Sequence, residues 1–285
     1  MPRPRVWFLE AGSCRHPEFT VMAGGSLRPV RFASAVAVIE HPTAGVVLFD
    51  TGYSARFVEE TRRFPERLYA LAMPMHLPPG ATAVEQLAER GVAPSEVRTV
   101  ILSHFHVDHV GGTRDFPRAR FVYQRSAWEA VRRLRGFSGV RVGFIPAFLP
   151  GDFEARSLPV TREAFASFAA PSAFGGGHDL LGDGSVVLVD LPGHARGHTG
   201  ALVRAEDGVE YFLVGDACWL SKGLREARLP NRVTSLFLDS RTRYAETQAR
   251  LRDFAATHPA TRLVPCHCSE AYAGLPKWSS REQVA

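Results

Sequence analysis

The stretch His104-Phe-His106-Val-Asp108-His109 places four metal-capable side chains within six residues. An apolar segment precedes it and Gly111-Gly112 follows it, so these groups stand at the end of a predicted strand. Buried imidazoles need partners and protonated neighbours repel one another, whereas a divalent cation satisfies several imidazoles at once. The spacing therefore predicts a metal centre rather than a purely structural histidine cluster.

Further metal-capable side chains follow other predicted strands. Apolar, β-branched patterns predict strands at residues 98–103, 120–124, 185–191 and 262–264, and hairpins that join 31–40 to 46–50 and 199–204 to 209–214. Helices are predicted at residues 83–90, 126–135 and 244–256, with Ser126 as a helix cap. His194, Asp216 and His267 each follow one of these strands. We therefore expect each ligand to close a strand, so that a rigid sheet fixes the geometry.

The order of these motifs resembles that of the metallo-β-lactamase superfamily, in which a His-x-His-x-Asp-His stretch contributes ligands to two metal sites. The resemblance covers most of the chain and rests on Asp50-Thr-Gly52, the stretch quoted above, Leu191-Pro-Gly-His194, Gly197-His198-Thr199, Val214-Gly-Asp216 and Val264-Pro-Cys-His267. It implies an α/β (α+β) fold, an αββα sandwich of two mixed β-sheets flanked by helices. It also implies a single hydrolase domain over residues 1–285.

Two segments, residues 56–80 and 136–183, fit no regular pattern. The first is rich in proline, methionine and arginine, and the second carries seven phenylalanines. Both are candidate lids over the site. Simple packing of these aromatic side chains in the core or on the surface is the alternative.

The resemblance also implies which residues form the site. His104, His106 and His194 would hold the first metal, Asp108, His109 and His267 the second, and Asp216 would bridge the two. Asp108 and Asp216 are accordingly the predicted catalytic carboxylates. His198 competes with His194 as a ligand and is instead expected to support a ligand without touching the metal. For Asp50, a hydrogen bond to ligand groups and a turn-forming role are both open.

Three cysteines stand next to predicted ligands. Cys218 lies two positions after Asp216, where the carboxylate favours the dinuclear hydrolase pattern. Cys266 and Cys268 flank His267. Because neighbouring strand residues point to opposite faces, both thiols should point away from a metal that His267 faces. Buried, inert thiols are expected at these positions.

The implied cofactor is a pair of divalent metal ions. Neutral imidazoles suit Zn(II), which is the preferred metal, while Mn, Co and Fe stay open. Two cations that share a water lower its pKa toward neutrality, so a metal-bridging hydroxide is the expected nucleophile.

The pattern is most similar to the quorum-quenching N-acyl homoserine lactone lactonases, which implies a lactone or another carboxylic ester as substrate. Several such lactonases have a tyrosine three positions after the bridging aspartate, whereas this sequence has Trp219 there. Indole donates one hydrogen bond but is no phenolic acid, so Trp219 is expected to contact substrate differently. A β-lactamase, a phosphotriesterase or general esterase, and a non-enzymatic metal-stabilised binding or sensor domain are the alternatives.

Composition and charge limit the classes of binding partner. The net charge is +5, but the arginines are scattered and no nucleic-acid-binding module accompanies them. No apolar run reaches the roughly 20 residues of a membrane span, and residues 6–9 are too short for a signal-peptide core of roughly 7 to 15 residues. We expect a cytoplasmic protein with reduced cysteines that acts on a small molecule and binds neither nucleic acid nor membrane. The sequence leaves a monomer or a homodimer open.

Overall fold

Two mixed β-sheets organise the chain, of which the computed structural model describes residues 2–168 and 172–278. The first sheet has the order β1-β2-β3-β4-β5-β6, and the second has the order β11-β10-β9-β8-β7. In the first sheet β1, β2 and β3 are antiparallel neighbours while β3 to β6 run parallel, and in the second only β10 and β11 are parallel. The strands are β1 Arg5–Pro17, β2 Pro29–His41, β3 Gly45–Phe49, β4 Val97–Ile101, β5 Arg120–Gln124, β6 Ser157–Val160, β7 His178–Asp179, β8 Val186–Asp190, β9 Thr199–Arg204, β10 Glu210–Gly215 and β11 Thr261–Pro265.

Short helices and one long helix accompany the sheets. They are α1 Glu18–Val21, α2 Phe57–Glu60, α3 Arg67–Ala72, α4 Ala83–Glu89, α5 Val107–Val110, α6 Arg125–Val131, α7 Gly136–Arg141, α8 Ser221–Arg225, α9 Arg241–Thr257 and α10 Ser269–Ala273. Within the described ranges, no helix combines the length and the apolar character that crossing a membrane requires.

Strand alternation divides the core into three apolar layers. In β2, Val36 and Val38 pack with α4 on one side of the first sheet, while Ala37 and Ile39 face the second sheet. In β8, β9 and β10 the same alternation sends one set of side chains between the sheets and the other against α9. Because side chains in a strand point alternately to opposite faces, each sheet is covered on both sides. This layering is the αββα arrangement that the sequence predicts.

Some local predictions are wrong. The 13-residue strand β1 was not anticipated, because charged residues and the register shift between Glu10 and Ser13 interrupt its apolar alternation. Ser126 does not cap a helix: α6 begins at Arg125 with Gln124 as the N-cap residue, and it ends at Val131, not at residue 135. The Ser126 hydroxyl instead donates a hydrogen bond to the Gln124 side chain.

The predicted ligands gather where strands of both sheets end. His104, His194, Asp216 and His267 follow β4, β8, β10 and β11 within four residues. The expectation that every ligand closes a strand is wrong for Asp108 and His109, which lie on the helical turn α5. This turn brings Asp108 and His109 toward the end of the second sheet, so both sheets contribute to one cluster.

Candidate metal centre

The first group of side chains consists of three imidazoles and one carboxylate oxygen. The Nε2 atom of His194 lies 3.2 Å from His104 Nε2 and 3.1 Å from His106 Nδ1. It also lies 3.2 Å from Asp216 Oδ2. These four residues form one of the clusters with the geometry to hold a metal ion.

The second group shares Asp216 with the first, through its other oxygen. Asp216 Oδ1 lies 3.1 Å from His267 Nε2 and 3.3 Å from His109 Nε2. Asp108 Oδ2 lies 3.4 Å from His267 Nε2 and 3.8 Å from His109 Nε2. The seven side chains predicted as ligands are thus brought together, with one carboxylate oxygen of Asp216 facing each group.

The spacing of these atoms fits divalent cations. Ligand atoms at about 2.0–2.1 Å from a tetrahedral Zn²⁺ lie about 3.3 Å from one another, close to most of the separations seen here. Among the described residues, the buried atoms His109 Nε2 and Asp216 Oδ1 have no hydrogen-bond partner. Both atoms belong to the second group. Buried polar atoms without partners are costly, and a cation at this group would satisfy both. The donor set therefore fits two metal ions.

The first group favours neutral imidazoles. Burial, reinforced by the neighbouring histidines, lowers the pKa of His104 well below its ordinary value. Burial likewise lowers the pKa of His106 and, more strongly, that of His194. A neutral imidazole has the free lone pair that metal ligation needs. These three side chains are therefore in the ligating form at neutral pH.

Asp216 is ionised in this environment. Burial by itself opposes the charge, but the attraction of His267, His109 and His194 outweighs it and lowers the pKa of Asp216 well below its ordinary value. A carboxylate with both oxygens directed at imidazole groups has the geometry of a bridge between two cations.

Asp50 orients His109. One oxygen of Asp50 accepts a hydrogen bond from Ser103 N at 2.8 Å, and the other accepts from the Ser103 hydroxyl and lies 2.8 Å from His109 Nδ1. Asp50 also has a positive φ of 62°, which aspartate tolerates better than most residues. Of the two roles left open by the sequence, the structure bears out the hydrogen bond to a ligand group. The contact to Nδ1 leaves His109 Nε2 to face Asp108 and Asp216.

His267 and His198 have different partners. His267 Nδ1 lies 2.6 Å from the carbonyl oxygen of Ala33, a contact that directs its Nε2 atom into the second group. His198 Nε2 instead accepts a hydrogen bond from the backbone N–H of Asp216 at 3.0 Å, and burial lowers the pKa of His198 to about 3. His198 therefore holds the backbone behind Asp216, with its Nε2 occupied.

Trp219 lies at the boundary between the first group and the pocket. Its Nε1–H donates a hydrogen bond to Asp216 Oδ2 at 2.7 Å. Its ring is perpendicular to the His194 ring, with 5.4 Å between the centroids. The residue lines the cavity over the cluster, but the single donor of its side chain is directed at Asp216.

The argument that both flanking thiols point away from the metal groups is wrong for Cys266. Its sulfur lies within 4.8 Å of ligand atoms of His109, Asp216 and His267. Strand alternation does not apply there, because β11 ends at Pro265 and His267 lies in the following turn. The thiol nevertheless donates to Ala35 O at 3.3 Å, and burial raises its pKa well above the ordinary value. We therefore assign the fourth place of this group to Asp108, not to a neutral thiol.

The other two cysteines are also engaged as thiols. The Cys268 sulfur lies 3.2 Å from the Ser221 hydroxyl, and the Cys218 thiol donates to the Leu220 carbonyl oxygen. Burial raises the pKa of Cys218. Neither belongs to a metal-capable cluster of the described residues.

A cavity of about 310 Å³ lies over the two groups. Its walls come partly from segments that the sequence singled out: Tyr69, Ala72 and Met73 from residues 56–80, and 140–143 from residues 136–183. Gly143 makes this approach possible, since a Cβ atom there would lie 2.8 Å from the His106 ring. Movement of these segments as lids stays a prediction.

Other walls of this cavity have no signal in the sequence. They comprise Cys14, His16, Thr20, Val21 and Phe32 near the amino terminus and Thr234, Phe237 and Leu238 before α9. Ordinary apolar and polar residues at scattered positions give no motif, so their role depends on the tertiary fold. A larger cavity of about 490 Å³ is lined by four arginines and contains none of the seven predicted ligands.

Comparison with known proteins agrees with this picture. N-acyl homoserine lactonase AttM from Agrobacterium fabrum is 27% identical over 274 residues, which cover 96% of this chain and 96% of AttM. The crystal structure of an AiiA mutant from B. thuringiensis, with N-decanoyl-L-homoserine bound at its active site, matches with a TM-score of 0.74. It is 18% identical and covers 97% of this chain and 98% of the AiiA chain.

AidC, a dizinc quorum-quenching lactonase in complex with a product, has a TM-score of 0.60 at 13% identity, and covers 94% of this chain and 92% of its own. The two solved structures confirm the predicted fold of two mixed sheets flanked by helices. The relatives, named as lactonases, confirm that the chain is a hydrolase-type enzyme.

The family itself follows from the match to a family model. The model of the metallo-beta-lactamase superfamily matches residues 29–267, which includes every predicted ligand. This range begins at the first residue of β2 and ends at the last residue of the cluster. The family predicted from the sequence motifs is thereby confirmed, and the chain belongs to the metallo-beta-lactamase superfamily.

Proposed function

We propose that this protein hydrolyses a small lactone or a closely related carboxylic ester, using two divalent metal ions, with zinc as the native metal. The observation that carries the proposal is the placement of Asp216, whose two oxygens each face a separate group of imidazoles below a cavity. The lactonase names of relatives that span 96% of the chain, and the dizinc site named for AidC, support this choice.

Different residues of this chain would hold the metal ions and transfer the proton. When bound, two cations supply an acidified water and a Lewis acid for the ester carbonyl. Asp216 and the imidazoles keep their ligand atoms in place through contacts that exist before any substrate arrives. Asp108 lines the cavity and is 4% exposed. Its carboxylate would accept the proton that the attacking water loses and return that proton to the alkoxide released when the lactone ring opens.

The cavity favours an apolar substrate with a small polar head. Phe237 is 63% exposed at its rim, and Tyr69, Met73 and Val142 add apolar wall beside it. Apolar walls bind an acyl chain and exclude water from the reacting ester. An acylated lactone matches both features, with its ring at the metals and its chain along the wall.

A substrate panel with metal analysis tests the proposal. Zinc-loaded protein is offered N-decanoyl-L-homoserine lactone, an unsubstituted lactone, p-nitrophenyl acetate, a β-lactam and a phosphotriester. We expect two metal ions per chain and the highest kcat/KM with the acylated lactone. Preferred turnover of the β-lactam or the phosphotriester would refute the substrate class, and bound metal without turnover of any substrate would favour a binding or sensor domain.

A cytoplasmic location and a homodimer stay predictions. Fractionation of the source cells and the molar mass in solution test them directly.

A further inference from the structure

The indole of Trp219 contacts an oxygen atom that also belongs to the first metal group. Trp219 Nε1 lies 2.7 Å from Asp216 Oδ2, the same oxygen that lies 3.2 Å from His194 Nε2. A carboxylate oxygen has two lone pairs, so it can accept the indole N–H and still offer the second lone pair to a cation. The hydrogen bond from the indole N–H therefore restrains the rotation of the Asp216 carboxylate plane.

Trp219 is held firmly enough to impose that direction. Its ring packs edge-on against His194 and lies 6.0 Å, centroid to centroid, from the ring of Tyr244. Tyr244 is 1% exposed and belongs to α9, the longest helix among the described residues. The indole thus rests on a fixed element of the core.

Asp216 is fixed from the opposite side as well. Its backbone N–H donates to His198 Nε2 at 3.0 Å. Gly215 before it has a φ of 50°, and a Cβ atom there would lie 2.9 Å from the His198 ring. With the backbone held by His198, the remaining freedom of Asp216 is the rotation of its side chain, and Trp219 is the donor that restrains it.

We propose that Trp219 is a positioning residue, which through its indole N–H holds the carboxylate of Asp216 in the orientation that serves both metal groups. This inference rests on the proposed dinuclear function and adds a residue to it. It also changes the role expected from the sequence: the N–H is used by Asp216, and the substrate meets only the ring of Trp219 as part of the wall. The indole N–H is then not free to polarise the substrate carbonyl.

Metal titration of a matched pair of variants tests the proposal. W219F keeps an aromatic ring and removes the N–H, while W7F makes the same change at Trp7, whose Nε1–H donates to Glu40 Oε2 at 2.8 Å outside the site. Metal-free proteins are titrated with Co²⁺ and, against a chelator, with Zn²⁺. We expect W219F to bind at least one ion about 10-fold or more weakly and to change the visible Co²⁺ spectrum, as loss of a group that orients a ligand does.

Three outcomes separate the possibilities. W7F should keep wild-type affinities and spectrum. If W219F also keeps both, the positioning role is wrong while the metal centre stands. If the wild-type protein binds fewer than two ions, the proposed function itself fails and not this inference alone.

A measurement on the wild-type protein covers the case in which W219F does not fold. The chain has four tryptophans, so ¹⁵N-indole labelling gives four N–H resonances. We expect one of them to shift when metal is added, because one indole donates to a predicted ligand. Four unmoved resonances in a protein that binds two ions would overturn the proposal.

Discussion

Replacing Asp50 by asparagine tests how the protein presents a histidine to a metal. In the wild-type chain the carboxylate accepts hydrogen bonds from the amide and the hydroxyl of Ser103 and lies 2.8 Å from His109 Nδ1. An ionised acceptor at this position keeps the proton on Nδ1 and the lone pair on Nε2. Asparagine can keep the bond to the Ser103 amide, but its NH₂ group then faces His109.

Two donors cannot share that contact, so D50N should force His109 to change tautomer. The proton would move to Nε2, the atom that lies 3.3 Å from Asp216 Oδ1 in the second group. Metal affinity should therefore fall by about 10- to 100-fold, which corresponds to about 1.4–2.8 kcal/mol. The metal-free protein should lose about 1–3 kcal/mol of unfolding free energy, because buried hydrogen bonds are left mismatched.

Chelator competition measures the first effect and denaturant unfolding of metal-free protein the second. The matched control is D207N, since Asp207 also accepts a backbone N–H and a side-chain hydroxyl, from Val209 and Tyr211, in a hairpin turn. D207N should change stability at most and leave metal affinity unaltered. A D50N variant with wild-type metal affinity would refute the reasoning about the tautomer.

The remaining predictions concern the ligands, the cavity and one distant carboxyl group. H106A should lose about one metal ion per chain and hydrolysis with it, and full activity at intact metal content, measured by elemental analysis, would contradict its place in the first group. F237A should raise KM for a long-chain acylated lactone more than for a short one, by about 10-fold for some 1.5 kcal/mol of lost burial; an equal effect on both chains would count against the wall. Burial raises the pKa of Asp190 above its ordinary 3.8, despite a hydrogen bond from Gln124. Ionisation therefore costs the folded state stability as pH rises through that range, so D190N should be more stable than wild type at pH 7, with the difference disappearing below about pH 4. Urea unfolding at both pH values checks this, and a constant difference would show that the carboxyl is not responsible.

Much of the fold followed from local pattern. The strands at residues 120–124 and 199–204 were predicted with their observed ends, and β4, β8, β10 and β11 were found to within two residues. Buried strands carry a continuous apolar signal that depends on few neighbours. β1 escaped because its charged positions and its bulge break that signal, and the cap at Ser126 was misplaced because a hydroxyl has several local partners to choose from.

The seven candidate ligands were named from motifs and their order, and the structure brings their atoms together. The sequence did not indicate which residue each polar side chain of the site would contact. Asp50 and His109 are 59 positions apart, and the cavity joins residues near the amino terminus to others before α9. Such pairs depend on how two sheets and their loops dock, which no local spacing encodes.

The amino-acid sequence by itself determined most strand positions and the set of metal-capable side chains, because strand periodicity and ligand spacing are short-range properties of the chain. The family and the layered fold were implied by the resemblance of its motifs, in their order, to the metallo-beta-lactamase superfamily. Only the tertiary structure decided that Trp219 donates to Asp216, that Asp50 orients His109, and that Cys266 turns toward the cluster with its thiol hydrogen-bonded elsewhere. The physical reason is that a hydrogen bond depends on ångström-scale distance and direction between groups from separate segments, and those are fixed when the sheets pack.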